Sequence, residues 1–148
     1  MATTSQADPT DTWFTEVVDQ AGVLSATETS ELGTILAEHN RQGLGLMKVL
    51  VIKQVPSGIS LDDYAEAVLR DELALADRRA DRVLILLAMD SKRMNIRVSA
   101  SLWSVLPDQF CKTVIERDMA PQFRRAKYFD GLRAGVTSII GRLATTSR

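Results

Sequence analysis

Hydrophobic positions along this chain change period several times, and each change marks an element. Leu32, Ile35 and Leu36 recur at helical spacing. Ahead of them Ser25 and Glu28 have the spacing of a capping box, which predicts a helix start at Ser25. Gly43 and Gly45 end that helix. The run Leu46, Met47, Val49, Leu50, Val51 and Ile52 is apolar on both faces and partly β-branched, the pattern of a central buried strand. Pro56 and Gly58 interrupt it.

Ser60, with Asp62 and Asp63 behind it, opens a second helix whose apolar positions are Leu61, Tyr64, Ala65, Val68 and Leu69. No glycine or proline stops it before Arg82, so the helix is free to run on. Val83 to Ala88 is the most apolar stretch and predicts a second central strand. Arg93 to Val98 then alternates, with Met94, Ile96 and Val98 on one side and Arg93, Asn95 and Arg97 on the other. A short turn at Asp90 and Ser91 makes these two strands an antiparallel hairpin, and the polar side suggests a half-exposed strand near the sheet edge. The last third is helical, with apolar stripes Phe110, Cys111, Val114, Ile115 and Leu132, Val136, Ile139, Ile140, Leu143, punctuated by Pro121. The order α, β, α, β, β, α, α, with two strands needing cover on both faces, predicts an α/β/α sandwich of three layers around a small mixed sheet. Residues 1–12 are expected as a disordered arm, 13–144 as the domain and 145–148 as a tail.

Composition narrows the classes. At 148 residues the chain suits one domain able to bury a core without staples. The lone Cys111 excludes an internal disulfide. A net charge of −1 supplies no drive for sequence-independent nucleic-acid binding. No apolar run approaches the roughly 20 residues of a membrane-spanning helix. The polar opening is not a signal peptide, which leaves either a cytosolic chain or a piece whose targeting segments lie outside it.

Several residues in this succession carry a resemblance. Val17-Val-Asp-Gln-Ala-Gly-Val-Leu-Ser25 is similar to the opening signature of the TPM domain family. Tyr64-Ala65 matches a pair in the family's second helix, and Asp81 before Val83 to Ala88 resembles its Asp-Asn-Gly strand opening. Arg93 stands at the usual basic position after the hairpin turn. Ile115 to Gly131 resembles the late Pro-x-Phe-Arg and Tyr-x-x-Gly signature. The resemblance spans Glu16 to Leu143 and implies a sheet sandwiched by helices, outside the cytoplasm and often tethered to a membrane, with an unknown protein partner or membrane complex. It also implies calcium binding by acidic residues beside the sheet in some members. A thylakoid-lumen relative is described as an acid phosphatase linked to photosystem II repair, while other members are non-catalytic.

The departures from the family pattern fall where a site would be. Asp-Asn-Gly reads Asp81-Arg82-Val83, and the Gly-x-Gly after the hairpin reads Ser99-Ala100-Ser101. Glycine lets backbone approach a ligand, and a β-branched residue closes that option. The expectation is a non-catalytic binding or scaffold module at an envelope or membrane surface, with a degenerate ligand loop and at most weak calcium binding; the alternative is a metal-assisted acid phosphatase acting on phosphomonoesters.

Asp19, Asp81, Asp90 and Asp118 are the candidate calcium ligands, and any site must be assembled from distant segments because no compact calcium loop exists. The competing reading is that Asp19 caps the turn before the first helix and the other three are solvated. Arg124, Arg125 and Lys127 form a basic cluster suited to a phosphate or an acidic partner, or simply to solvent. Cys111 and Arg117 have the spacing of cysteine phosphatases, but no glycine-rich cradle separates them, and Cys111 shares an apolar stripe. It reads as a buried structural thiol. His39, beside Ile35 and Leu36, reads as a partly buried structural imidazole. The run from Asp77 to Arg82 is expected at the surface and Trp13 and Trp103 as packing anchors, while Gly131 and Gly135 either let the last helix lie close to a neighbour or simply weaken it.

Overall fold

A computed structural model describes residues 16–42, 45–75 and 81–146. The expected arm, Trp13, Gly43, the charged residues before Asp81 and the last two residues lie outside them. Four strands form one mixed sheet in the order β1 (Val17–Asp19), β2 (Leu46–Ile52), β3 (Arg82–Ala88) and β4 (Arg93–Val98). β1, β2 and β3 run parallel, and β3 pairs antiparallel with β4, placing Val83 opposite Val98 and Ala88 opposite Arg93. The helices are α1 (Ala26–Arg41), α2 (Leu61–Leu75), α3 (Asp108–Thr113), α4 (Ala120–Arg124) and α5 (Tyr128–Thr146). A turn of tighter helix at Ala100–Leu102 follows β4, and a π-helical stretch, Val114–Met119, joins α3 to α4.

The predicted sandwich is present. The capping box forms, with the Glu28 amide donating 3.0 Å to the Ser25 hydroxyl and the Ser25 amide donating back to the Glu28 carboxylate. Ser60 caps α2 through the Asp63 amide. α5 runs through Thr146, over the first two residues of the expected tail. β1 is an addition to the predicted order. Three residues are too few to show alternation, and the strand exists by pairing with Val49, Leu50 and Val51 of β2.

Alternate strand residues serve two cores. On one face Met47, Val49, Val51, Val83, Ile85, Leu87 and Val98 meet α1 through Leu32 and Leu36, and the α3–α5 region through Val114, Met119, Leu132 and Ile139. On the other, Leu50, Ile52, Leu84, Leu86 and Ala88 meet α2 through Leu61, Ala65 and Leu69, with Val55 of the loop after β2 beside them. Both crossovers, β1 to β2 and β2 to β3, step one strand the same way, yet their helices lie on opposite faces. They are therefore of opposite hand, and one departs from the usual right-handed rule.

The expected close approach of α5 is present. A side chain at Gly131 would place Cβ 2.5 Å from the Phe123 ring, and one at Gly135 would overlap the Met119 thioether. Two surface expectations are corrected. Arg82 is 2% exposed, because its position in β3 puts it under α2 rather than in a solvated run. Trp103 is 61% exposed, carried outward in the turn after Ala100–Leu102 instead of anchoring the core. No helix among the described residues is long and apolar enough to cross a membrane.

Candidate functional site

The two glycine-depleted motifs meet in space. Asp81 stands at the entrance of β3 and Ser99 at the exit of its antiparallel neighbour β4. Ser99 and Arg82 are locked by two bonds: the Ser99 amide donates 3.0 Å to the Arg82 carbonyl, and the Arg82 amide donates 3.0 Å to the Ser99 hydroxyl. The Ser101 hydroxyl donates to Asp81 Oδ1, and the Ser99 and Ser101 hydroxyls lie 3.4 Å apart. The Asp81 carbonyl accepts from the Leu46 amide at 2.7 Å, tying the corner to β2. Val83 is wholly buried in β3.

Gly45 borders this corner. Its φ of +114° favours glycine, and a Cβ there would sit 3.4 Å from the Leu102 side chain and 3.7 Å from Asp81 Cβ. His39, 2% exposed, lies within 2.8 Å of the Gly45 carbonyl through Nε2, which fixes Nε2 as the protonated nitrogen. Its Nδ1 is buried with no hydrogen-bond partner. Burial therefore holds the His39 pKa below its ordinary value, only partly offset by the bond to Gly45. The imidazole is more completely buried than the sequence suggests, since it points along the inner side of α1 toward the loop into β2.

The four candidate carboxylates are not brought together. Asp19 accepts from the amides of Ala21 (3.2 Å), Gly22 (2.8 Å) and Leu24 (2.8 Å), so it shapes the loop into α1, with Gly22 at φ +71°. Asp90 accepts from the Ser91 amide at the hairpin turn. Asp118 accepts from Arg117 at 2.9 and 3.1 Å and from Ser138 at 2.8 Å. The Arg117 guanidinium, with help from Ser138, holds the Asp118 carboxyl below its ordinary pKa. Through the β1–β2–β3 register Asp19 lies level with Leu87, six residues along β3 from Asp81. That is roughly 20 Å at the ordinary strand rise. No group of three or more His, Cys, Asp or Glu able to hold a metal occurs among the described residues. Calcium wants six to eight oxygens around one point, and this arrangement of donors does not fit it.

The basic cluster also divides. Arg124 joins Lys92 and Arg93 around a groove whose other walls are Met94, Ile115, Ala120 and Phe123. Lys127 instead lines a separate depression with Glu28 and Asp130, and Arg125 is exposed and lines neither. The roles of Lys92 and Arg93 beside Arg124 were hidden in sequence, since about thirty positions separate them. The one available signal was Arg93 at the basic position after the hairpin. Cys111 is buried, and its pKa is pushed up to about 11 by burial and by Asp108. It is no poised nucleophile. A shallow cleft lined by Gln20, Lys53, Gln54 and Tyr64 opens where the chain leaves β1 and β2 toward opposite faces.

Comparison with known proteins agrees with this fold. The N-terminal domain of a protein from P. gingivalis superposes with a TM-score of 0.77 at 22% identity, over 92% of this chain and 85% of that one. The BA42 protein of the psychrophilic Bizionia argentinensis gives 0.70 at 23% identity, over 82% of each chain. The N-terminal domain of the cg2496 protein from Corynebacterium glutamicum gives 0.68 at 9% identity, over 100% of this chain and 91% of that one. These likenesses concern the fold. No curated protein matches the sequence. The family profile described as TPM domain matches residues 17–142, and this chain belongs to the TPM domain family.

Proposed function

We propose that this chain is a non-catalytic binding module of the TPM family, working at an envelope or membrane surface outside the cytoplasm. One observation carries the reading: the Asp81 carboxylate is taken up by the Ser101 hydroxyl in a corner closed by Ser99 and Arg82. A carboxylate already engaged by the fold has less to offer a metal or a phosphate. The side chains of Ser99 and Ser101 also stand at the Asp81 corner where glycines would leave the backbone bare.

The rival is a phosphomonoesterase, favoured by the same hydroxyl–carboxylate contact. A serine activated for attack needs a base able to take its proton, and among the described residues Asp81 is the carboxylate that Ser101 contacts. The deciding experiment assays p-nitrophenyl phosphate at pH 5 and 7, with and without millimolar calcium, for the chain and for Asp81→Asn. Background rates in both, with Asp19 and Asp81 amide resonances unmoved by calcium, are expected. Hydrolysis abolished by Asp81→Asn would establish the rival.

A further inference from the structure

The groove between the β3–β4 hairpin and α4 combines an apolar floor with a cluster of cations. Its floor is apolar, built from Met94, Ile115 and Phe123, and its rim carries Lys92, Arg93 and Arg124. All three cations are exposed, and none makes a hydrogen bond or ion pair among the described residues. Among the described residues, no acid lines the groove. Three unneutralised cations side by side in a chain of net charge −1 are a local concentration of charge, and their mutual repulsion is relieved by an anionic partner.

The fold sets this rim. Lys92, at φ +54°, closes the hairpin turn, and Arg93 follows as the first residue of β4. Arg124 is the last residue of α4, immediately after the buried Phe123. The cavity is about 310 Å³, at the small end of ligand pockets and enough for one large side chain with its flanks. Met94 adds an adaptable wall.

We propose that this groove docks an acidic segment of a partner protein, inserting one large apolar side chain between carboxylates that pair with Lys92, Arg93 and Arg124. Arginine forks recognise carboxylates in two-point geometry, and the apolar floor takes what lies between. Concavity selects a protruding peptide side chain over a bilayer, which meets protruding surfaces. The proposal deepens the binding-module reading by naming its surface and partner.

The test uses the full chain, ¹⁵N-labelled, and a fluorescein-labelled hexapeptide Asp-Glu-Leu-Phe-Asp-Glu. Expected are saturable binding, amide shifts concentrated at Met94, Ile115 and Phe123, and weakening by raised salt. Arg93→Glu with Arg124→Glu is expected to lower affinity at least tenfold at an unchanged thermal midpoint. The milder Arg93→Gln and Arg124→Gln pair serves should the reversal disturb folding. Replacing Leu-Phe by Ser-Ser in the probe is expected to cost as much. No binding overturns the proposal, as does binding indifferent to the charge changes. So does preference for phosphatidylserine vesicles or inorganic phosphate over the peptide. Failure here leaves the non-catalytic reading intact, whereas phosphatase activity dependent on Asp81 would remove that reading and leave the groove.

Discussion

The two faces of the sheet are built from the same strands by different chemistry. Toward α1 and α5 every central strand position is apolar, and Val49, Val51, Val83, Ile85 and Leu87 are fully buried. Toward α2 the apolar positions Leu50, Leu84 and Leu86 share the layer with Lys48, 0% exposed, and Arg82, neither of which lacks a partner. At the edge, α2 meets β4 through polar groups. Asn95 donates to the Asp62 carboxylate, Arg97 donates 3.1 Å to the Asp62 carbonyl, and Arg97 stands 3.6 Å from Glu66. The first face holds by tight packing, where lost volume is felt directly. The second holds by fewer apolar contacts plus hydrogen bonds that orient a single covering helix, and such exposed pairs add little stability each.

The contrast breaks or sharpens by substitution. Ile85→Ala, in the fully buried layer against α1 and α5, is expected to cost about 2–5 kcal/mol in urea unfolding. A loss under about 1 kcal/mol would mean that the apolar face is loosely packed.

His39 is the polar exception on that face, and its effect depends on pH. Burial depresses its folded pKa, so the folded state holds fewer protons than the unfolded chain as pH falls below the ordinary histidine value of 6.5. Its stability is fully present above that value and is lost as pH falls toward the folded pKa. The urea midpoint is expected to drop from pH 7.5 to pH 5.5, and to drop less in His39→Gln. Equal slopes in the two proteins would show that Nδ1 reaches water.

Arg97→Ala on the other face is expected to cost less than about 1 kcal/mol, because the pair with Glu66 is partly solvated, with side-chain exposures of 32% and 49%. A cost matching Ile85→Ala would erase the distinction between the faces.

Much of the fold is legible along the chain because local signals and burial agree. The capping box at Ser25, the doubly apolar strand at Val83 to Ala88 and the alternation from Met94 to Val98 each carry their own period. The corner at Asp81 is legible for a related reason: a short hairpin turn forces Val98 opposite Val83, so Ser99 must return to Arg82. β1 is not legible, since three residues acquire strand form only from β2. Nor is the polar side of β4, which alternation marks as solvated but which α2 covers at Asn95 and Arg97. The basic neighbours of Arg124 come from a distant hairpin, and no local pattern could announce them.

The opposite hands of the two crossovers limit how such a chain could arise or be rebuilt. Copies of one strand–helix–strand unit, laid down in tandem and stepping the same way, would put both helices on one side. Tandem duplication of a single ancestral unit therefore cannot produce this arrangement without inverting one copy. For the same reason, a chimera that replaced the stretch from β2 to β3 with a unit of the other hand would drive its helix into the layer already filled by α1 and α5, leaving Leu50, Leu84 and Leu86 bare to water.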